Sequence, residues 1–340
     1  MRKKPAHEVL LMTEQSFRSP AMSRRMALGA VPIAATALLV PNALAAAGPR
    51  RAVFDWQNPA DNLKAYIKLQ YSLVKEPVWS YFGGTIYALE GDLPPRRLLE
   101  VDGMGQGWVD RQPDGSYHLA WKELGLLKDP LTGEVVDRWH NPLIDETVDV
   151  RHIMNPAANA TLRSSEPELD PSFVTAEVDM PPRNYRHPER PTDFILPWQT
   201  IGDYTSVWND TTLAMKHTLE PKIWVRESSG PRISIGEFFQ LVTRTDDLLD
   251  ARRNQVPYTG SWARIASWHP WMLMGQRPGK LFYRCTTQRL TGPEQLPPKF
   301  LATIKERFPT YLQQPTTWGP RFSTWKDFFA THKPMPVAKP

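Results

Sequence analysis

Two clusters of residues carry side chains suited to chemistry on a small molecule. The first centres on His152. The run Thr147–Asn155 alternates as a strand does, so Val148, Val150, His152 and Met154 share one face and Thr147, Asp149 and Arg151 the other. The imidazole points with the apolar set, into a core or a cavity. A buried neutral imidazole can serve as general base or acid near neutral pH; a core histidine satisfied by one hydrogen bond is the competing reading. Just upstream, Trp139-His140-Asn141-Pro142 adds a Trp and a His at a strand end.

The second cluster is the run Trp262–Gly275. Trp262, Arg264, Ala266 and Trp268 share one strand face, then His269-Pro270-Trp271 turns the chain and Met272 and Met274 come after it. Trp, Met and a polar handle suit a flat apolar ligand. A tryptophan-rich core ridge with Arg264 snorkelling outward fits the same pattern. The expected site has His152 and His269 as catalytic groups. Trp139, His140, Arg264, Trp268 and Trp271 are its ligand-binding residues, all around one pocket. His140, His152 and His269 have no spacing that demands a metal, and neither metal nor cofactor is implied.

Familiar catalytic motifs are missing. There is no G-x-S-x-G elbow, no H-E-x-x-H helix, no P-loop and no C-x-x-C. Gly103-Met104-Gly105-Gln106-Gly107 resembles a nucleotide-binding turn, but it lacks the G-x-G-x-x-G spacing and is followed by a hairpin where a helix is required. Asp246, Asp247 and Asp250 cluster, yet Thr245-Asp246-Asp247 before Leu248-Leu249 reads as a helix start.

The elements that must position these groups are mostly strands. Asn58-Pro59 followed by Leu63, Tyr66, Ile67 and Tyr71 predicts a helix over 59–73. Val78–Phe82 and Thr85–Leu89 read as strands parted by a bulge at Gly83-Gly84. Pro113-Asp114-Gly115 predicts a hairpin between Trp108–Gln112 and Ser116–Trp121. Asp129–Gly133 is a turn between further strands, Val135–Trp139 and Thr147–Asn155. A second hairpin is expected between Lys222–Glu227 and Arg232–Ile235. Phe238–Thr243, Ser261–Trp268 and Lys280–Leu290 add strands. Helical spacing returns at Phe300, Leu301, Ile304 and Phe308, and Ser323 is placed to cap a last short helix. This is a mostly β, α+β pattern: an antiparallel barrel-like or half-barrel sheet over about 76–290, with helices packed at both ends. Residues 163–209 read as a long ordered loop excursion over that domain.

Composition narrows the class. Arg24-Arg25 stand directly before an uncharged Ala-rich stretch that ends in Ala43-Leu44-Ala45, the pattern of a twin-arginine signal with a small-x-small cleavage site. That stretch is broken by Pro32 and Pro41, which speaks against a membrane anchor. Met22, immediately upstream, is a candidate translation start. On this reading residues 1–45 engage the twin-arginine export machinery through Arg24 and Arg25, and 46–340 form a single domain that reaches the periplasm with no stable membrane anchor. Residues 1–45 carry six Lys/Arg and two Glu, a net of +4 out of the chain's +5. The remainder is close to neutral, which excludes a nucleic-acid partner. The single cysteine, Cys285, allows no intrachain disulfide.

Four runs together resemble an uncharacterised bacterial and fungal family, domain of unknown function family 1838. They are Leu127–Glu134, Trp139–Pro142, Val150–Asn155 and Trp268–Gly275. The resemblance implies an exported, mostly-β protein and carries no activity or catalytic residue with it. Two function classes fit: a cofactor-independent enzyme on a small apolar or aromatic molecule, and a non-catalytic ligand-binding or envelope-associated module.

Overall fold

Regular structure starts where Asn58 and Pro59 allow it. The Asn58 side chain accepts from the Ala60 N–H at 2.9 Å, and Pro59 takes a position where no N–H is needed. Helix α1 (Pro59–Gln70) begins there and buries Leu63, Tyr66 and Ile67. The computed structural model describes residues 54–165, 180–184, 192–216, 218–315 and 324–336. The Arg24-Arg25 motif, the Ala43-Leu44-Ala45 site and the Ser323 cap lie outside the described residues.

Twelve strands make up most of the regular structure among the described residues. They are β1 (Val78–Leu89), β2 (Arg96–Arg111), β3 (Tyr117–Lys128), β4 (Arg138–Asn141), β5 (Glu146–Asp149), β6 (Ile153–Leu162), β7 (Met180–Asn184), β8 (Trp198–Ile201), β9 (Tyr204–Lys216), β10 (Arg232–Arg244), β11 (Thr259–Ala266) and β12 (Lys280–Leu290). Helices α2 (Thr245–Leu249), α3 (Pro298–Arg307) and α4 (Thr324–Thr331) are short. One antiparallel sheet of ten strands runs β6-β3-β2-β1-β12-β11-β10-β9-β7, with β8 added on β9; β4 and β5 form a separate hairpin. Trp121 and Glu123 of β3 line the same cavity as Glu237 and Phe239 of β10, although β2, β1, β12 and β11 separate those strands. The sheet therefore curls deeply. Among the described residues its edge strands do not pair with each other, so it is a half-barrel.

Both ends of the concave channel are plugged. At one end α1 packs Leu63, Tyr66 and Ile67 with Val109, Leu119, Val207 and Leu241. At the other, the β4–β5 hairpin and the 3-10 turn Pro270–Met272 pack Trp139, Val148, Trp271 and Met272 with Ile86, Val101 and Tyr283. Asn141 ties that second plug together. Its Nδ2 donates to the Met272 carbonyl at 2.8 Å, and its Oδ1 accepts from the Leu143 N–H at 3.0 Å. On the convex side α3 covers Trp79, Met104, Leu124 and Leu126 with Phe300 and Ile304.

Three local expectations are corrected. Gly83-Gly84 does not interrupt β1: the strand is continuous, and its register irregularity against β2 lies at Ile86/Tyr87. The glycines are there because a Cβ at Gly84 would strike the β12 backbone at Arg284 and Cys285. Lys222–Glu227 is not a strand. The Trp224 N–H donates to the Glu220 carbonyl at 2.8 Å and the Ser228 N–H to the Trp224 carbonyl at 2.9 Å, so its polar groups are satisfied locally. The strand expected over Thr147–Asn155 is two strands, β5 and β6, in different sheets, and His152 stands in the link between them.

Gly103, Gly105 and Gly107 of β2 open the channel. The Phe82 ring lies against Gly103 and the Trp121 indole against Gly105, closer than any Cβ would permit. Gly105→Ala would force that indole aside and is expected to destabilise the protein by about 1–3 kcal/mol. Urea unfolding of the variant beside wild type measures this; an unchanged midpoint would show that the indole moves freely.

Candidate functional site

A cavity of about 260 Å³ lies between the two plugs. Drug-sized ligands commonly occupy ~300–1,000 Å³, so this one suits a single ring with short substituents. Its walls are aromatic. Tyr71 and Trp121 meet edge-on at 5.7 Å between ring centres, and Trp262 makes a T-shaped contact with Phe82 at 5.0 Å and a stacked one with Phe239 at 6.2 Å. Tyr66 and Tyr258 close the end nearest α1.

Two carboxylates enter this aromatic chamber, Glu123 from β3 and Glu237 from β10. Alternation puts Trp121, Glu123 and Gly125 on the concave face, and Glu123 pairs across the ladder with Gly105, against which the Trp121 indole lies. Asn155 of β6 donates from Nδ2 to Glu123 Oε2 at 2.7 Å. Burial pushes its carboxyl from an ordinary 4.5 up to about 7, the Glu237 charge adds to this, and Arg264 and Asn155 partly offset it. Arg264 sits 3.7 Å from Glu237 and 5.8 Å from the Tyr283 ring centre. A carboxyl near 7 is half protonated at neutral pH and can pass a proton in either direction.

The seven residues expected from sequence do not share this chamber. His152 Nδ1 accepts from the Leu127 N–H at 3.1 Å, so its proton is on Nε2, which faces Asp137 at 3.3 Å. Its ring meets Phe308 edge-on, and burial lowers its pKa. It pins the β5–β6 link to β3. His269 is apart from it: Nε2 pairs with the Tyr283 hydroxyl at 2.8 Å and the ring stacks on Trp271. Burial, reinforced by Arg264, pushes His269 down to about 3, so it stays neutral at physiological pH. The two histidines share no partner, and the strand that was to present His152 ends before reaching it. His140 is exposed beside Asp145, since alternation in β4 turns its neighbour Trp139 inward. Trp139 and Trp271 meet at 6.0 Å in the hairpin plug, and Trp268 donates from Nε1 to the Arg277 carbonyl at 2.9 Å. Of the seven, Arg264 comes nearest the chamber, through its contact with Glu237.

A family model described as protein of unknown function (DUF1838) matches residues 75–332. The chain belongs to that family. The four family-like runs fall inside the matched span, and Trp139, Asn141, Trp271, Met272 and Met274 of them converge on the hairpin plug. No curated protein matches the chain. Among solved structures, the outer membrane enzyme PagL is similar at 7% identity and a TM-score of 0.24, covering 63% of this chain and 99% of that one. An overlap that loose carries no argument about this DUF1838 protein.

Sequence reasoning passes over Glu123 because a lone Glu in an apolar strand matches no motif. The available signal is its neighbour strand, where three alternate glycines admit the close approach of large rings. No group of three or more His, Cys, Asp or Glu able to hold a metal occurs among the described residues.

Glu123 sets a stability signature. Its folded value lies above its unfolded value, so the folded state alone keeps the proton between about 4.5 and 7. This group's contribution to stability therefore falls as pH rises through that window and stays low above it. Glu123→Gln keeps the shape without the charge. The variant is expected to be about 1–3 kcal/mol more stable than wild type near pH ~8, with the gap narrowing toward pH ~5. Thermal unfolding across pH checks this, and a pH-independent gap would contradict the assignment.

Proposed function

We propose that the protein is an exported, cofactor-independent enzyme that moves a proton on a small apolar or aromatic molecule held in the half-barrel chamber. The observation that carries this reading is the Glu123 carboxyl, poised near 7 inside an aromatic-walled cavity. The proton leaves one atom of the substrate for Glu123 and returns from it at another, so the step needs no co-reactant. Glu123 takes the role that the sequence suggests for His152 or His269. His152 is committed to Leu127 and Asp137, and His269 is too weakly basic to take up a proton near neutrality. His269 and Tyr283 instead position Arg264, which holds Glu237 beside the reacting carboxyl.

Two experiments test the two halves of the proposal. Small aromatic alcohols, acids and amines screened by thermal shift and by proton exchange should yield a turned-over compound. Its rate should follow an apparent pKa near 7 and fall about 10²–10⁴-fold in Glu123→Gln at saturating substrate. Turnover that survives in Glu123→Gln would exclude the proton-transfer role. For export, replacing Arg24 and Arg25 by Lys should stop the mature-size protein from reaching the periplasm in cell fractionation; unimpaired delivery would exclude the twin-arginine route.

A further inference from the structure

Resting on the chamber reading, we infer that the molecule bound there is an organic cation, a single ring or compact apolar body bearing an ammonium group. The walls are the first reason. Trp121, Tyr71, Phe82 and Trp262 present ring faces and edges from several directions around one small space, and aromatic faces attract a desolvated cation through their quadrupoles. The charges are the second. Glu123 and Glu237 both enter the chamber, while Arg264 lies outside its lining and contacts Glu237 at 3.7 Å. Among the described residues Glu123 makes no ion pair, and its side-chain partner is the neutral Asn155. An anionic ligand would add a further negative charge to a chamber that sets two carboxylates against the single Arg264 guanidinium. A neutral one would leave an ionised Glu123 with only the partial offset from Arg264 and Asn155. A cation satisfies both carboxylates and the rings at once.

The charged and titratable groups coupled to Glu123 are Glu237 from β10, Arg264 from β11, Tyr283 from β12 and Tyr311 from the segment after α3, and Tyr66, Tyr71 and Tyr258, all raised by burial, line the chamber with it. Burial holds Tyr283 and Tyr311 at about 12, so near neutrality Glu123 is the group whose titration the cation would feel. It is about one-tenth ionised at pH ~6 and about nine-tenths at pH ~8, so cation affinity should rise about tenfold over that interval.

Isothermal titration of the full chain with three probes of one shape family tests the inference: phenyltrimethylammonium, neutral tert-butylbenzene and anionic benzoate. The expected result is that the cation binds at least ~10-fold more tightly than either, tightens with pH, and loses its preference in Glu123→Gln and in Glu237→Gln. Equal binding of the neutral probe, or stronger binding of benzoate, would overturn the cation assignment and leave the chamber reading standing. A cation preference unchanged in both variants would place the cation elsewhere and overturn it too. Failure of all three probes to bind would overturn the chamber reading itself. The pH dependence is read on wild type, so the inference does not hang on how a variant folds.

Discussion

Phe82 and Trp121 can lie against β2 only because Gly103, Gly105 and Gly107 carry no Cβ. That close approach underlies the rest of the interior. It lets two large rings settle against the floor of the channel, where side chains at those positions would fill it. It also sets the Trp121 indole beside Glu123, the cross-strand partner of Gly105, in the lining of the chamber. A glycine run inside a strand weakens it through backbone entropy and lost packing. Here β2 tolerates three because it is central, with β1 and β3 paired on either side, and because the rings cover the exposed backbone.

The same stripe explains why Gly103–Gly107 resembles a phosphate-binding turn. Alternate glycines are wanted wherever another group must approach the backbone closely, and the glycines alone do not say whether that group is a pyrophosphate or an indole. The downstream chain decides between them: a hairpin through Pro113-Asp114-Gly115, with Gly115 at φ 84°, excludes the helix a nucleotide turn needs. Local chemistry of this kind is legible throughout. The Asn58 cap, both Gly-containing turns and the mostly-β half-barrel with terminal helices are consequences of short-range rules. The departures share one cause. Lys222–Glu227 has strand composition but is satisfied by its own turns, and the Thr147–Asn155 alternation conceals a handover between two sheets. Periodicity reports which side chains want burial; it does not report which backbone will pair with them.

The site is less legible because its members come from strands far apart in sequence. Glu123 and Glu237 share a chamber only once β3 and β10 are brought together by the curl of the four strands between them. His152 and His269 stand out because histidine is rare and chemically versatile, and both are buried. Yet His152 spends both ring nitrogens on the scaffold, at Leu127 and Asp137, and His269 spends its Nε2 on Tyr283. Arg264 shares a strand face with Trp262, and there alternation reports truly, because β11 is paired on both sides and cannot slip register without turning that face outward.

The runs by which the family can be recognised belong to the plug. Trp139, Asn141, Trp271 and Met272 interlock by ring contact and by the amide of Asn141, which is fully buried and satisfied at both ends. Such a unit tolerates little change, since losing one polar partner strands the other without water and each indole fills a space nothing else fits. The chamber works in the opposite sense. Glu123 lowers stability wherever it is charged, and nothing in the packing needs a carboxylate there, because a neutral amide would fill the same volume without that cost. A fold that closes one end of its channel with so exacting a plug, and then keeps two carboxylates in an aromatic-lined cavity behind it, holds that cavity at the expense of stability. Its use therefore has to be sought in what binds between the rings.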